Sequence, residues 1–468
     1  MTRICIITIV SVLSFISHAK AQSYEIEIKV DGIEDSVLYL GYHFGNQKFL
    51  RDTAEIVNST AVFKGEETLD PGVYFAYNPN TYFEFVVKEQ EFSLETKAPD
   101  YLMNLKVQGS GENEVFKTFH QYMKKSQEKA DGLNQKYETA LNKEDSLSIG
   151  EEIQSIAKDT KQFRKELIEN NEGSFVAKVL LAMEKPEIPD AAGEGLEENE
   201  KRQIQFNYYR EHFFDNIDFT SDNLLRTPVI HPKIIEYMER LTPQHPDSIK
   251  YAAEFLIEKA KPNPAFFRYV LVTLTSKYEQ SKQMGMDAVF VHLAEKYYLT
   301  GQADWISEDT RKKFEERVSD LKPNLIGKKA PSLNLVDTAS KSVSLENIDS
   351  RYTVLYFYDP DCGHCKKKTP ELRSEYSQLK ELGAEVLCIN IQTDVKKWKD
   401  FIKEKELSEW YNLADPNIRS NFRRDYNVKS TPTIYILDED KKILAKKIGV
   451  EQVKEILEIE ERIRTSGS

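Results

Sequence analysis

Tyr352-Thr-Val-Leu-Tyr-Phe-Tyr358 runs straight into Asp359-Pro-Asp-Cys362-Gly-His-Cys365-Lys-Lys-Lys-Thr-Pro370, and this join decides the fold of the C-terminal part of the chain. A β-rich apolar run feeds a short turn, and two cysteines three positions apart open a helix. The spacing predicts that the Cys362 sulfur sits over the helix N-terminus. There, unpaired backbone N–H groups and the helix dipole favour thiolate over thiol. His364, when protonated, adds positive charge beside it. Cys365 lies one turn in, within reach of a disulfide. Cys-Gly-His-Cys at a strand-to-helix junction is the chemistry of thiol–disulfide exchange, with Cys362 attacking and Cys365 resolving.

Half of a zinc site is the competing reading, but structural zinc takes four ligands, commonly two such pairs. Beyond the pair, only Cys388 lies outside the N-terminal leader, and on a central strand it reads as a small buried hydrophobe. His212, His231, His245 and His292 are dispersed, without a pair at metal-ligand spacing. Neither a metal nor a cofactor is expected.

The motif resembles that of thioredoxin-like oxidoreductases. Pro370 falls where that family has a proline in its active-site helix, and Ser430-Thr-Pro432-Thr-Ile-Tyr-Ile-Leu437 is similar to its cis-proline loop and the strand after it. The resemblance implies that Pro432 is cis and faces the cysteines, and that Thr431 presents backbone to a bound peptide. Leu325-Ile-Gly-Lys-Lys-Ala-Pro331, Leu333-Asn-Leu-Val-Asp337 and Val343-Ser-Leu345 resemble the opening of bacterial envelope thiol–disulfide proteins of the cytochrome-maturation, TlpA-like type. They also resemble the opening of peroxiredoxins. The likeness covers about residues 325–466. Two positions depart from it. Tyr356 stands where thioredoxin has a buried aspartate, and Lys368 where several cytochrome-maturation relatives have a glutamate. Asp359, Asp361 and Glu371 are the carboxylates nearby in sequence that could take the Cys365 proton, with water as the alternative acceptor.

Composition bounds the rest. The chain has 468 residues, 40% hydrophobic and 30% charged, with a formal charge of −13, which argues against nucleic acid or an anionic membrane as partner. Residues 1–21 combine Arg3, an apolar run from Ile4 to Ile16 and Ala19-Lys-Ala21, the anatomy of a secretory signal peptide. The expected mature chain is exported to the periplasm or cell envelope of a bacterium and has no transmembrane helix. Residues 23–110 alternate as strands, giving an antiparallel β-sandwich. Residues 111–321 carry helical spacing, enough for six to eight helices. Residues 325–466 alternate strand and helix, a thioredoxin fold with helices on both faces of a mixed sheet. The fold class is thus multidomain α+β.

These readings converge on an exported thiol–disulfide oxidoreductase. Its substrates are protein or peptide thiols and disulfides, and an upstream envelope electron donor recharges it. Gly363 and His364 influence the potential, and reductase, oxidase and isomerase stay open. The cytochrome-maturation resemblance favours reductase. Two rivals stand beside it. A thiol peroxidase would need the peroxiredoxin Pro-x-x-x-Thr/Ser-x-x-Cys spacing, whereas Pro360 precedes Cys362 by two residues. A non-enzymatic envelope binding protein would use the aromatic residues of the sandwich.

Overall fold

A computed structural model describes residues 23–139, 142–189 and 192–466; the expected signal peptide at 1–21 lies outside the described residues. Strict alternation builds β1 (Tyr24–Asp31), with Tyr24, Ile26, Ile28 and Val30 buried and Glu25 and Glu27 exposed. Seven strands follow: β2 (Val37–Phe44), β3 (Gln47–Val57), β4 (Thr60–Gly65), β5 (Gly72–Asn78), β6 (Thr81–Val87), β7 (Glu91–Lys97) and β8 (Lys106–Gln108). They form one sheet, in the order β6-β5-β2-β3-β4-β1-β7-β8. The long strand β3 pairs with β2 along most of its length and with β4 at its end. It thereby joins two halves that bury Ile26, Leu38, Phe63, Tyr74, Phe85 and Phe92 in a common core. One pair departs from the antiparallel expectation: β1 and β7 run parallel. The chain reaches β7 from β6 at the opposite edge of the sheet, so no hairpin dictates its direction.

Helices follow: α1 (Gly111–Glu138), α2 (Lys143–Asn170), α3 (Phe175–Met183), α4 (Glu198–Glu211), α5 (Ile230–Arg240), α6 (Pro246–Ala260), α7 (Pro264–Glu279), α8 (Asp287–Leu293) and α9 (Glu308–Leu321). Nine α-helices thus stand among the described residues between 111 and 321, where the pattern predicted six to eight. The helix that pattern reading misses is α3. Its sequence, Phe-Val-Ala-Lys-Val-Leu-Leu-Ala-Met, is apolar on nearly every side, so no 3.6-residue alternation marks it. The Glu112 carboxylate caps its first amides, accepting from Phe175 N at 2.7 Å and Val176 N at 2.8 Å. The chain divides into two compact units between Tyr237 and Met238, inside α5.

The second unit ends in a seven-stranded mixed sheet. Its elements are β9 (Asn334–Val336), β10 (Ser342–Ser344), β11 (Tyr352–Tyr358), α10 (Gly363–Glu381), β12 (Ala384–Asn390), α11 (Val395–Glu404), β13 (Tyr411–Ala414), α12 (Phe422–Asp425), β14 (Thr433–Leu437), β15 (Ile443–Lys446) and α13 (Val450–Ser466). The strand order is β10-β9-β13-β12-β11-β14-β15, with β11, β12 and β13 parallel and the remaining pairs antiparallel. Central β11 is buried throughout because both faces are covered. Tyr352, Val354, Tyr356 and Tyr358 pack with residues of α10, α11 and α13, while Leu355 and Phe357 pack on the other face with Phe422, Tyr426 and Leu345. This is a thioredoxin fold.

The helix expected over Ile418–Tyr426 shrinks to α12, four residues long. The Asp415 carboxylate draws the chain into a turn by accepting from Arg419 N at 3.0 Å and Ser420 N at 2.7 Å. Ile418 takes a φ of +50°, which a right-handed helix forbids. No described helix is long and apolar enough to cross a membrane.

Candidate active site

Strand β11 ends at a turn that fixes where α10 begins. Asp361 N donates to the Asp359 carboxylate at 2.8 Å, and Cys362 N donates to the Asp359 carbonyl at 3.1 Å. The other Asp359 carboxylate oxygen accepts from Gln392 Nε2 at 2.7 Å. Gln392 is itself fixed by Asn390, whose side chain bonds its N–H at 3.0 Å and its carbonyl at 2.8 Å. Cys362 occupies the cap position of α10 with extended backbone, and its carbonyl accepts from Lys366 N at 3.0 Å. Its sulfur lies at the first turn of the helix, faced by the backbone N–H groups of His364 and Cys365.

The two sulfurs occupy contrasting environments. Cys362 is half-buried, whereas Cys365 is fully buried in the core beside Tyr356, Tyr358 and Cys388. Burial is the largest influence on Cys362 and opposes its thiolate. The opposing hydrogen bonds, from Thr431, from the backbone N–H groups of Cys365 and His364, and from the Cys365 thiol, outweigh it and hold Cys362 below the usual thiol range. Cys365 goes the other way. Burial pushes it up to about 12, and the neighbouring Cys362 adds to this, against smaller help from the Asp359 N–H and Thr431. All three cysteines among the described residues are free thiols.

The loop before β14 closes the site from the other side. The Thr431–Pro432 peptide bond is cis, and the Cys362 thiol donates to the Thr431 carbonyl at 3.3 Å. Thr433 Oγ1 ties the loop by donating to the Ser430 carbonyl at 2.6 Å. Cys362, Cys365, Thr431 and Pro432, far apart in sequence, therefore come together. Other residues singled out from the sequence stand further from the sulfurs. Gly363 is exposed, with nothing within 4 Å of where a Cβ would lie, so no neighbour demands a glycine there. His364 is exposed, and its backbone N–H is the part that reaches the Cys362 sulfur. Pro370 sits exposed inside α10, where it has no N–H to give the carbonyl of Lys366.

The candidate proton acceptors diverge too. Asp361 pairs with Lys397 at 2.7 Å, and Glu371 pairs with Lys368 at 2.7 Å, both on the surface. Asp359 is engaged with Gln392, and its backbone N–H is what faces Cys365. Tyr356 hydrogen-bonds Thr369 Oγ1 at 2.9 Å in the buried layer under Cys365. Burial drives the Tyr356 hydroxyl well above its usual range, so it is no proton acceptor. Among the described residues the only buried carboxylate is Glu112, in the other unit. Sequence reading missed Gln392 and Thr369. The i,i+4 spacing from Cys365 to Thr369 on α10 could have found the latter; nothing local marks Gln392.

With that geometry in view, likeness to known proteins can be placed. Residues 326–446 match the AhpC/TSA family, and residues 148–324 and 24–116 match two domains of unknown function, DUF5106 and DUF4369. A thiol-disulfide oxidoreductase ResA of Bacillus cereus is 30% identical over 136 residues, 28% of this chain and 75% of that protein. The chain belongs to the thioredoxin-like thiol–disulfide oxidoreductases. The thioredoxin-like protein YneN of Bacillus subtilis (strain 168) is 26% identical to this oxidoreductase over 143 residues, 30% of the chain and 78% of that protein. A solved structure described as a domain of possible thiol-disulfide isomerase from Cytophaga hutchinsonii is 35% identical, with a TM-score of 0.29. It covers 30% of this chain and 97% of its own. The chain is therefore a redox enzyme, and its family acts on thiols and disulfides.

Proposed function

We propose that this oxidoreductase reduces disulfides of exported proteins with the Cys362–Cys365 dithiol. The observation that carries the reading is the asymmetry of the pair: one half-buried sulfur held low at a helix start, and one buried sulfur held high behind it. The Cys362 thiolate attacks a substrate disulfide, breaking its S–S bond and forming a mixed disulfide while one substrate sulfur leaves and takes a proton. Cys365 then gives up its proton to water and attacks the Cys362 sulfur. The Cys362–Cys365 disulfide forms, and the second substrate thiol leaves. The substrate has gained two electrons and two protons, and an external dithiol donor in the envelope must return the electrons to the pair. Thr431 and Pro432 receive the substrate peptide beside Cys362, Gly363 and His364 form the helix start, and Pro370 lies further inside the same helix.

The reductive direction is supported by the resemblance to envelope proteins of cytochrome maturation, and export by the leader-like pattern of residues 1–21. Replacing Cys365 with Ala tests the roles. The variant should accumulate mixed disulfides on Cys362 that reductant clears, whereas Cys362→Ala should neither reduce nor trap. Trapping on Cys365 in the Cys362→Ala protein would reverse the assignment.

A further inference from the structure

The two flanks of the Thr431–Pro432 loop are both held by helices that precede the thioredoxin fold in the chain. On the upstream flank, Lys429, two residues before Thr431, pairs with Asp320 of α9 at 3.5 Å. Just before that, Asn324, in the turn after α9, donates to the Asp425 carbonyl at 3.0 Å. On the downstream flank, Lys446 of β15 is buried. Its ammonium is bonded to the carboxylate of Asp287, the first residue of α8, and to Asn324 through O at 2.8 Å and Oδ1 at 3.2 Å. The next residue, Lys447, donates its N–H to the Ile434 carbonyl at 2.7 Å, two residues beyond Pro432.

Asn324 links the two sides. It is fully buried, gives its amide to the carbonyls of Asp320 and Asp425, and accepts from Lys446. A buried ammonium is tolerated only with partners in fixed places, and a connected buried polar network admits few alternative geometries. An incidental contact between helices and sheet would be apolar and could slide. Here the downstream flank is held by a buried ammonium with its carboxylate and Asn324 partners, and the upstream flank by the Asn324–Asp425 hydrogen bond together with the more exposed Lys429–Asp320 pair.

We infer that α8 and α9 belong to the redox machinery: through Asp287, Asp320 and Asn324 they position the Thr431–Pro432 loop against Cys362 and so set how the site receives a substrate peptide. The inference rests on the proposed reduction of protein disulfides. It gives the end of the helical region a role as the back support of the substrate loop, with Lys446 and Lys429 as positioning residues.

The test uses the full chain carrying Asp287→Asn or Asp320→Asn, with Glu409→Gln as a control that breaks an ion pair with Arg373 elsewhere in the fold. The substrate is an oxidised peptide with one disulfide, and the Cys362 thiolate is titrated by its ultraviolet absorbance in the same proteins. A displaced loop raises KM about fivefold while kcat stays within about twofold, because the loop binds peptide rather than carrying out exchange. Loss of the Thr431 side-chain hydrogen bond, which favours the thiolate, also moves the Cys362 titration upward. Asp287→Glu should restore both, and Glu409→Gln should change neither. Folded Asp287→Asn and Asp320→Asn proteins with the parent KM and titration overturn the inference. Should Asp287→Asn fail to fold, Asp320→Asn, whose pair is partly exposed, decides alone. A parent protein inert toward the peptide disulfide would sink the proposed function; an active parent with unaffected variants sinks only this inference.

Discussion

Raising the pH separates the two halves of the exchange reaction, because the two sulfurs hold their protons so differently. With Cys365 pushed up to about 12, its thiolate is about one part in 100,000 at pH 7. That value belongs to the free dithiol. Once Cys362 is tied up in a mixed disulfide, its thiol and its charge no longer push on Cys365. Burial, the largest cause, remains, so the value falls from about 12 but stays above the ordinary 9.0. Among the described residues of this unit no carboxylate is buried to take the proton, and Asp361 and Glu371 are spent on surface lysines. Release of substrate should therefore quicken about tenfold per pH unit from about pH 6 to about pH 9, in proportion to the thiolate fraction. Attack by Cys362 should flatten earlier, once its lowered value is passed. Single-turnover mixing with an oxidised peptide, quenched in acid and read as mixed disulfide by mass, measures both steps. The mixed disulfide should build up at the acid end and become undetectable at the alkaline end. A release rate that levels off below about pH 9 would mean that a base lies beside Cys365, and the burial argument would be wrong.

Other outcomes follow from the same layer of the structure. Tyr356→Phe strands the buried Thr369 hydroxyl and should lower stability by about 1 kcal/mol in denaturant melts while leaving the pH profile of release unchanged. A profile that flattens in this variant would give the Tyr356 hydroxyl a part in proton transfer. Burial raises Cys388 as well as Cys365, while the unfolded chain releases both protons near 9. The folded state then binds more protons above that pH, so stability is intact below it and falls as pH rises. Each thiol should account for about 1 kcal/mol between about pH 9 and about pH 10. Reduced Cys388→Ala protein should accordingly show a shallower alkaline loss in denaturant melts, with disulfide reduction and trapping unchanged. An equally steep loss would mean Cys388 ionises normally. The equilibrium potential of the pair against glutathione should lie below about −200 mV for a reductase, and a value near about −120 mV would mark an oxidase.

How much of this was legible beforehand depends on how local the signal is. Tyr352–Tyr358 reads as a strand buried on both faces because its run is apolar without alternation, and the structure buries every residue of it. Cys362 and Cys365 at a helix start follow from spacing alone. Pro432 enters through resemblance, since nothing local says that residue 432 returns to residue 362. The losses have physical causes. Helix α3 is too uniformly apolar to show a period, and Asp415 replaces a turn of expected helix by capping its amides with a carboxylate. The Asp287–Asn324–Lys446 network was invisible because each member is an ordinary polar residue in sequence. Only burial makes the set unusual. The charge of His364, counted on from the sequence, gives way to its backbone N–H.

The direction of electron flow turns on how strongly the reduced pair is stabilised. A dithiol oxidises strongly when its reduced form is favoured, and a stable thiolate is the principal means. Here one sulfur only can supply it. The Cys362 thiolate gains from Thr431 and two backbone amides, yet burial works against it and is the largest influence on that group. Cys365 adds no second thiolate at neutral pH, because burial keeps it protonated. Among the described residues, the only buried cations in the second unit, Lys441 and Lys446, are committed elsewhere, to Thr353 and to Asp287 with Asn324. Ionisation therefore favours the dithiol only as far as the lowered Cys362 value lies beneath the ambient pH. A site that donates electrons needs an accessible first thiolate and a second thiol placed to finish the exchange. Both requirements are met by the geometry at the start of α10, so the site is equipped for the proposed reduction, and the equilibrium potential of the pair decides its direction.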